Sequence, residues 1–202
     1  MRCPSFAIAL LALVSIDRLS GQVTWSGSTD GTFATNGNWA GNSAPASNAT
    51  TTDLVFSTTS NANVNLSSSF NVHGITFSST APHYFLGAAT GTSPVLGIGS
   101  GGIVLQGTTG SAIDFSSGLS LSLLANQTWN TGGNLTISGS ISGTFSLTKT
   151  GSGTLTLSGV NTNTGALTIS GGTVAISADS GLGTAPGTAT ANSLTLNGGT
   201  LQ

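Results

Sequence analysis

Residues 147–165 read LTKTGSGTLTLSGVNTNTG, and this stretch decides the fold. Within it, residues 155–157 (LTL) alternate apolar and polar side chains, which is typical of a β-strand with one buried face. The strand is followed by Ser158 and Gly159, and glycine readily adopts the backbone geometry of a sharp corner. The stretch therefore predicts short strands that are joined by tight corners.

The same pattern recurs along the C-terminal half with a period of about twenty residues, in two interleaved series. The repeated apolar positions are Leu135 and Leu155, Leu147 and Leu167, and Val174 and Leu194. This period indicates a coil that closes on itself once per repeat. We therefore predict an all-β fold, a right-handed parallel β-helix (solenoid) with coils of about twenty residues and inward apolar columns. About nine such coils would fit the mature chain.

Two features of this prediction stay open. An antiparallel sandwich also has short alternating strands, although it gives no reason for a twenty-residue period. Asn161 and Asn163 lie between predicted strands, where they either form hydrogen-bonded ladders between coils or act as ordinary turn residues.

Composition agrees with stacked strands. Only 4% of the residues are charged, against about 25% in an average soluble protein. Ser, Thr, Asn and Gly fill the chain, and all four are poor helix formers. Without clusters of Lys and Arg, the chain has no electrostatic means of binding nucleic acid.

The N-terminus resembles an export signal. Arg2 is followed by the apolar run FAIALLALVSI (residues 6–16), which suits the h-region of a secretory signal peptide and is too short to cross a bilayer. We predict a signal peptide over 1–21, export, and no membrane-spanning segment in the mature chain. Cys3 lies inside this signal, so the mature chain has no disulfide.

Residues 147–165 resemble the autotransporter-associated β-strand repeat, whose usual form is LTKxGxGTLTLSGxNTYTG, with Asn163 here in the place of Tyr. The likeness gives repeat units at about 147–174 and 181–202. It implies a passenger-type β-helical region of a secreted or surface-displayed protein, in which the repeat supplies no catalytic residues.

Upstream features also resemble chains that carry this repeat. They are Trp25, Asn38 with Trp39, Pro45, the segment 53–56 and the strand 72–77. We therefore divide the chain into the signal peptide at 1–21, an N-terminal β region at 22–118 and β-helix repeats at 119–202. Because the sequence stops within a repeat, we expect further β-helix coils or an anchoring domain after Gln202.

The acidic residues lack the pattern of an active site. The predicted mature chain has Asp30, Asp53, Asp114 and Asp179, and no two lie a whole number of twenty-residue turns apart. A polysaccharide hydrolase needs two carboxylates across the scissile bond. Asp30 and Asp179 are interpreted as turn residues, and Asp114 as the outward residue of a strand.

His73 and His83 are the chain's imidazoles, and neither belongs to a carboxylate motif that would complete a metal site. In a chain so rich in Ser, a Ser-His-Asp combination has no specificity at the level of sequence. We therefore predict no catalytic, cofactor-binding or metal-binding residues, no cofactor and no enzymatic activity.

Three tryptophans offer a binding alternative. Trp25, Trp39 and Trp129 could stack on sugar rings if they were exposed; otherwise Trp25 and Trp39 close the N-terminal end and Trp129 packs in a coil. The predicted function is a structural stalk or adhesin-type module at the surface of a Gram-negative-type bacterium. The alternative is an extracellular carbohydrate-binding module, and a polysaccharide-degrading enzyme is less favoured. A cell-surface or extracellular polysaccharide is the expected partner class, and its binding residues are unknown.

Overall fold

The computed structural model describes residues 21–57, 62–107, 112–188 and 190–202. Residues 1–20 of the predicted signal peptide therefore lie outside the described residues. The described part has seventeen strands, two short 3₁₀ helices at Asn36–Asn38 and Asp179–Leu182, and no α-helix. In chain order the strands are β1 (Gln22–Trp25), β2 (Asp53–Phe56), β3 (Asn63–Leu66), β4 (Phe70–Phe77), β5 (Tyr84–Ala88), β6 (Val95–Leu105), β7 (Ala112–Phe115), β8 (Ser120–Leu123), β9 (Gln127–Thr131), β10 (Asn134–Ile137), β11 (Ile141–Ser142), β12 (Leu147–Thr150), β13 (Thr154–Leu157), β14 (Leu167–Ile169), β15 (Thr173–Ile176), β16 (Leu194–Leu196) and β17 (Thr200–Leu201).

The strands form two parallel sheets, and the chain passes from one to the other in each coil from β2 onwards. The first sheet has the order β1-β2-β4-β6-β9-β12-β14-β16, and the second has β3-β5-β7-β10-β13-β15-β17. Strand β8 joins the first sheet beside β6 and also pairs with β11. Neighbouring strands in a sheet therefore come from successive coils, which confirms the parallel β-solenoid and excludes the antiparallel sandwich.

The long strand β6 turns a corner between two sides of the coil. Its first part, Val95–Ile98, pairs with β8, and its last part, Ile103–Leu105, pairs with β9. The preceding strand β4 shows a register shift against β6 between Val72 and Gly74. Such an irregularity re-aims nearby side chains, and the outward residues at this corner form the candidate site described below.

The twenty-residue period is confirmed in the central coils. Leu135 pairs with Leu155 in the second sheet, and Leu147 pairs with Leu167 in the first. The two interleaved series of the sequence are thus the two sheets.

The predicted pairing of Val174 with Leu194 is wrong. Val174 pairs with Leu201 in the second sheet, whereas Leu194 pairs with Leu167 in the first. The reason is the segment 177–193, which contains the 3₁₀ helix Asp179–Leu182 and lengthens this coil. Other coils are also longer than twenty residues, for example between Asp53 and its partner Gln22. The solenoid therefore has fewer coils than the nine that a constant period predicts.

The core is a set of apolar columns along the axis. Leu135, Leu155 and Val174 occupy one register position of three successive strands, and each is fully buried. In the first sheet, near the N-terminal end of the described part, the inward positions are aromatic, since Phe56 and Phe77 are register partners that stack with ring centroids 5.1 Å apart. Burial of such side chains contributes about 1.5–3 kcal/mol each, so the columns supply much of the stability of a chain that has few charges.

Candidate functional site

The three tryptophans are buried and not available to sugars. Trp25, Trp39 and Trp129 have relative exposures of 0%, 1% and 0%. Trp25 and Trp39 pack edge to face with ring centroids 5.0 Å apart, next to Phe33 and Phe56. The carbohydrate-binding alternative that relied on exposed Trp is therefore wrong in its binding residues. The tryptophans serve the packing role that the sequence also allowed.

Asn161 joins three successive coils. Its Oδ1 accepts a hydrogen bond from the backbone N–H of Ile141 at 2.8 Å, and its Nδ2 donates to the carbonyl of Gly181 at 2.6 Å. Both partners are twenty residues away, and Asn161 is only 4% exposed. Asn126 accepts a similar bond from the N–H of Ser146. These hydrogen bonds between coils thus join amide side chains to backbone groups.

Lys149 points into the solenoid and has no exposed surface. Its Nζ donates hydrogen bonds to the carbonyls of Thr150 at 2.8 Å, Gly151 at 3.1 Å and Gly171 at 3.1 Å. Burial lowers the pKa of Lys149 from 10.5 to about 8, because the charged ammonium loses its hydration. The side chain therefore satisfies three corner carbonyls of two adjacent coils, a role that the sequence analysis missed. Its place two residues after the inward Leu147 is the signal that could have revealed it.

Asp30 organises the N-terminal loop. Its Oδ1 accepts hydrogen bonds from the backbone N–H of Thr32 at 2.7 Å and from Nδ2 of Asn38 at 2.6 Å. These donors hold the pKa of the Asp30 carboxyl below its usual value. Asp30 thus behaves as the turn residue that the sequence predicted.

The structure joins a carboxylate, an imidazole and a hydroxyl at the corner of β4 and β6. Oδ1 of Asp53, on β2, lies 2.8 Å from Nδ1 of His73 on β4. Nε2 of the same ring lies 3.3 Å from Oγ of Ser100 on β6. The three residues thus come from successive strands of the first sheet. They form the most distinctive polar cluster on the outer surface of the described part.

Part of this cluster has a signal in the sequence. Asp53 and His73 are twenty residues apart, which is the repeat period. The spacing between unlike residues, an Asp and a His, is therefore the signal, whereas the spacings between Asp residues carry none. Ser100 lies 27 residues beyond His73, so the longer coil hides it from a search at a constant period.

A second imidazole pairs with a carboxylate on the other sheet. Nε2 of His83 lies 2.6 Å from Oδ2 of Asp114, and the His83 ring stacks on the half-exposed ring of Phe85 with centroids 4.3 Å apart. His73 and His83 therefore do not converge on one site, because each pairs with a different Asp. Within the described residues no group of three or more His, Cys, Asp or Glu side chains could hold a metal ion.

Two of the grooves on the surface of the described part bear on a possible binding role. The larger, of about 530 Å³, is formed by the long C-terminal coil and is lined by residues that include Asn163, Asp179, Leu182, Pro186 and Leu194. The other, of about 250 Å³, opens beside Ser100 and is lined otherwise by Asn126, Gln127, Thr128, Ser146 and Thr148. The groove beside Ser100 is lined by polar residues whose side chains also contribute apolar surface, whereas the lining of the C-terminal groove is predominantly apolar and includes no aromatic side chain.

The corner beneath Ser100 is held from inside. Nε2 of the buried Gln127 donates to the carbonyl of Ile98 at 2.9 Å, and its Oε1 accepts a hydrogen bond from Nε1 of Trp129 at 2.7 Å. The backbone just before Ser100 is therefore tied to the next coil.

No helix in the described ranges is both long enough and apolar enough to cross a membrane.

Comparison with known proteins finds a known repeat family in part of this solenoid. The family model described as the passenger-associated-transport-repeat matches residues 147–176. No curated protein and no solved structure matches the chain. The matched residues include β12 to β15, and their strands carry the in-register columns of the solenoid. The chain is therefore a parallel β-solenoid in which residues 147–176 match the passenger-associated-transport-repeat, in agreement with the resemblance to autotransporter passengers.

Proposed function

We propose that the chain is a structural module of a secreted or surface-displayed protein, in which a right-handed solenoid acts as a stalk or adhesin-type passenger. The observation that carries this function is the passenger repeat at 147–176 on coils that stack in register. The repeat family implies export or surface display in Gram-negative bacteria. An N-terminal signal peptide over 1–21 belongs to the same proposal.

The physical basis of the stalk is that coils stack on one another in the same register, so their number is not limited by the geometry of one coil. Each central coil repeats the register of the previous one, as in the pairs Gln127–Leu147 and Leu147–Leu167. In such solenoids each repeat contacts mainly its neighbours, so added repeats lengthen the rod without changing its section. Low charge favours this arrangement, because like charges in register on adjacent strands repel each other.

The adhesin role and its partners are part of the proposal. A cell-surface or extracellular polysaccharide is the partner class, and further coils or an anchoring domain would follow Gln202. A glycan array with the purified chain tests the polysaccharide partner independently of the stalk.

A coil insertion tests the stalk directly. Four tandem copies of residues 147–166 are inserted after Ala166, so that each new unit continues the existing register. With about 4.8 Å between stacked strands, four coils lengthen the particle by roughly 20 Å in small-angle X-ray scattering, and the β signal in circular dichroism grows.

The matched control inserts residues 147–156 after Ala166, which adds half a coil. It moves the following strands half a coil out of register, so that they no longer lie on their partner strands, and is expected to lower the unfolding midpoint sharply. If the whole-coil insertion gave no elongation, or if it destabilised the chain as much as the half-coil, the stalk proposal would be wrong.

A further inference from the structure

The outward cluster at the corner of β4 and β6 has the connectivity of a nucleophilic triad. A carboxylate can only accept a hydrogen bond, so the 2.8 Å contact of Asp53 Oδ1 places the ring proton of neutral His73 on Nδ1. Nε2 is then the acceptor, and the Ser100 hydroxyl, 3.3 Å away, is its donor. This is the order of groups in which an imidazole removes the proton of a serine hydroxyl.

Glycine at two positions makes the arrangement fit. A β-carbon at Gly101 would lie 2.9 Å from Nδ1 of His73 and 2.8 Å from the His73 carbonyl oxygen. A β-carbon at Gly74 would lie 3.2 Å from Oδ1 of Asp53. Any larger residue at these positions would therefore press on the ring or the carboxylate. The backbone at the register shift leaves space for the His–Asp pair.

Accessibility also suits a reaction with a ligand from solution. Ser100 is exposed, and the side chains of His73 and Asp53 are 32% and 27% exposed. The carboxylate is thus partly withdrawn from water, while the hydroxyl opens on the groove of about 250 Å³. The separation of 3.3 Å is within the range that shortens when substrate binds.

We propose that Ser100, His73 and Asp53 form a hydrolytic triad that acts on small acyl esters of polar alcohols, such as acetylated sugars. The groove decides the substrate class. The Gln127 amide is bonded inside the coil, and the other lining residues that carry hydroxyl or amide groups are Asn126, Thr128, Ser146 and Thr148. Such a lining suits a hydrophilic alcohol with a short acyl group and offers little to a long acyl chain.

The reaction consumes one ester and one water molecule. Ser100 Oγ attacks the ester carbonyl carbon while Nε2 of His73 takes the hydroxyl proton, and Asp53 stabilises the resulting imidazolium. The ester C–O bond then breaks, the alcohol leaves with the proton from His73, and Ser100 carries the acyl group. Water, deprotonated by His73, attacks the acyl-Ser100, and the carboxylic acid and the free hydroxyl are released.

The three residues of the triad lie outside the matched repeat at 147–176, although Thr148 of that repeat lines the groove, and the activity does not depend on the stalk role. It contradicts the prediction from sequence that the chain is not an enzyme. The reason is that coil stacking brings together residues whose spacings of 20 and 27 are not equal.

Covalent labelling tests the nucleophile first. The full chain is incubated with a fluorophosphonate, which phosphonylates an activated serine with loss of fluoride, and the modified residue is located by peptide mass spectrometry. We expect one adduct, on Ser100. Ser100→Ala abolishes it, and His73→Gln lowers the labelling rate roughly 10²-fold or more because the general base is lost. Asp53→Asn lowers it by roughly tenfold or more.

Two control variants separate chemistry from folding. Ser158→Ala removes an exposed serine of the repeat, and His83→Gln removes the other His–Asp pair; both are expected to label at the wild-type rate. Circular dichroism melts check that the triad variants stay folded. Hydrolysis of 4-nitrophenyl acetate should follow the labelling rates and exceed that of 4-nitrophenyl octanoate. Labelling of other serines, or unchanged labelling and hydrolysis in folded Ser100→Ala, would overturn the triad.

Discussion

The buried lysine of the solenoid makes the stability of the chain depend on alkaline pH. Lys149 is fully buried, with Nζ hydrogen-bonded to three carbonyls. Its pKa is about 8 in the folded chain, against 10.5 for an unburied lysine. Between these two values the unfolded chain binds more protons than the folded chain, so the free energy of unfolding rises with pH. Below pH 8 both states are protonated and the cost of burying the charge is constant.

The magnitude follows from the shift. Each pKa unit corresponds to 1.36 kcal/mol, so the lysine contributes an increase of about 3 kcal/mol in the free energy of unfolding between pH 7 and pH 11. Lys149→Met keeps the length and apolar stem of the side chain and removes the titrating group. The variant also leaves the carbonyls without the ammonium, which costs stability by an amount that does not vary over this pH range.

The measurement is urea unfolding of the wild-type chain and of Lys149→Met, followed by circular dichroism at pH 7, 8, 9, 10 and 11. Taking the difference between the two proteins at each pH cancels the titration of the other groups. We expect the wild type to gain about 3 kcal/mol relative to the variant across the series. A constant difference from pH 7 to pH 11 would show that the ammonium is not desolvated in the folded chain, and the assignment of its pKa would be wrong.

Two further predictions concern the coils of the repeat. Leu157 is 3% exposed and Thr156 faces outward. Leu157→Asp should therefore cost several kcal/mol of unfolding free energy by burying an unpaired charge, whereas Thr156→Asp should change it by less than about 1 kcal/mol. Equal losses of stability in chemical denaturation would contradict the inward and outward assignment. Asn161→Leu removes the partners of a buried backbone N–H and a buried carbonyl, so it should lower the free energy of unfolding by about 2–5 kcal/mol. Thr162→Leu is the control at an exposed position. Similar unfolding midpoints for the two variants would refute the role of Asn161 in joining the coils.

The sequence predicted the solenoid because its strongest regularities are those of stacked strands. The spacing of Leu135 and Leu155 became a register pair in the structure. The regularity failed where a coil is lengthened, as between Leu167 and its partner Leu194. A loop of extra residues leaves the pairing of the flanking strands intact while it moves the next repeat along the sequence. A constant twenty-residue period therefore does not assign each strand to its coil.

The candidate site was harder to predict for the same reason. The approach of Ser100 to His73 depends on the register shift between Val72 and Gly74, which adds residues to β6 at the corner. Nothing in the composition of a Ser-rich chain distinguishes Ser100 from other serines. The Asp53–His73 pair is predictable from the sequence, since the spacing of this Asp and this His equals the twenty-residue repeat period.

The few charged residues of this chain have individual roles. In a parallel stack each outward side chain lies above a neighbour one coil away, and like charges in these positions destabilise the sheet. A composition with 4% charged residues is therefore expected for the scaffold, and each retained charge needs its own explanation. In the structure Asp53 and Asp114 each pair with an imidazole, Asp30 organises a loop, and Lys149 binds corner carbonyls. Among these charges of the described part, the Asp53 carboxylate belongs to a pair that also contacts an exposed serine beside a groove, so it is the charged residue for which a chemical role is proposed.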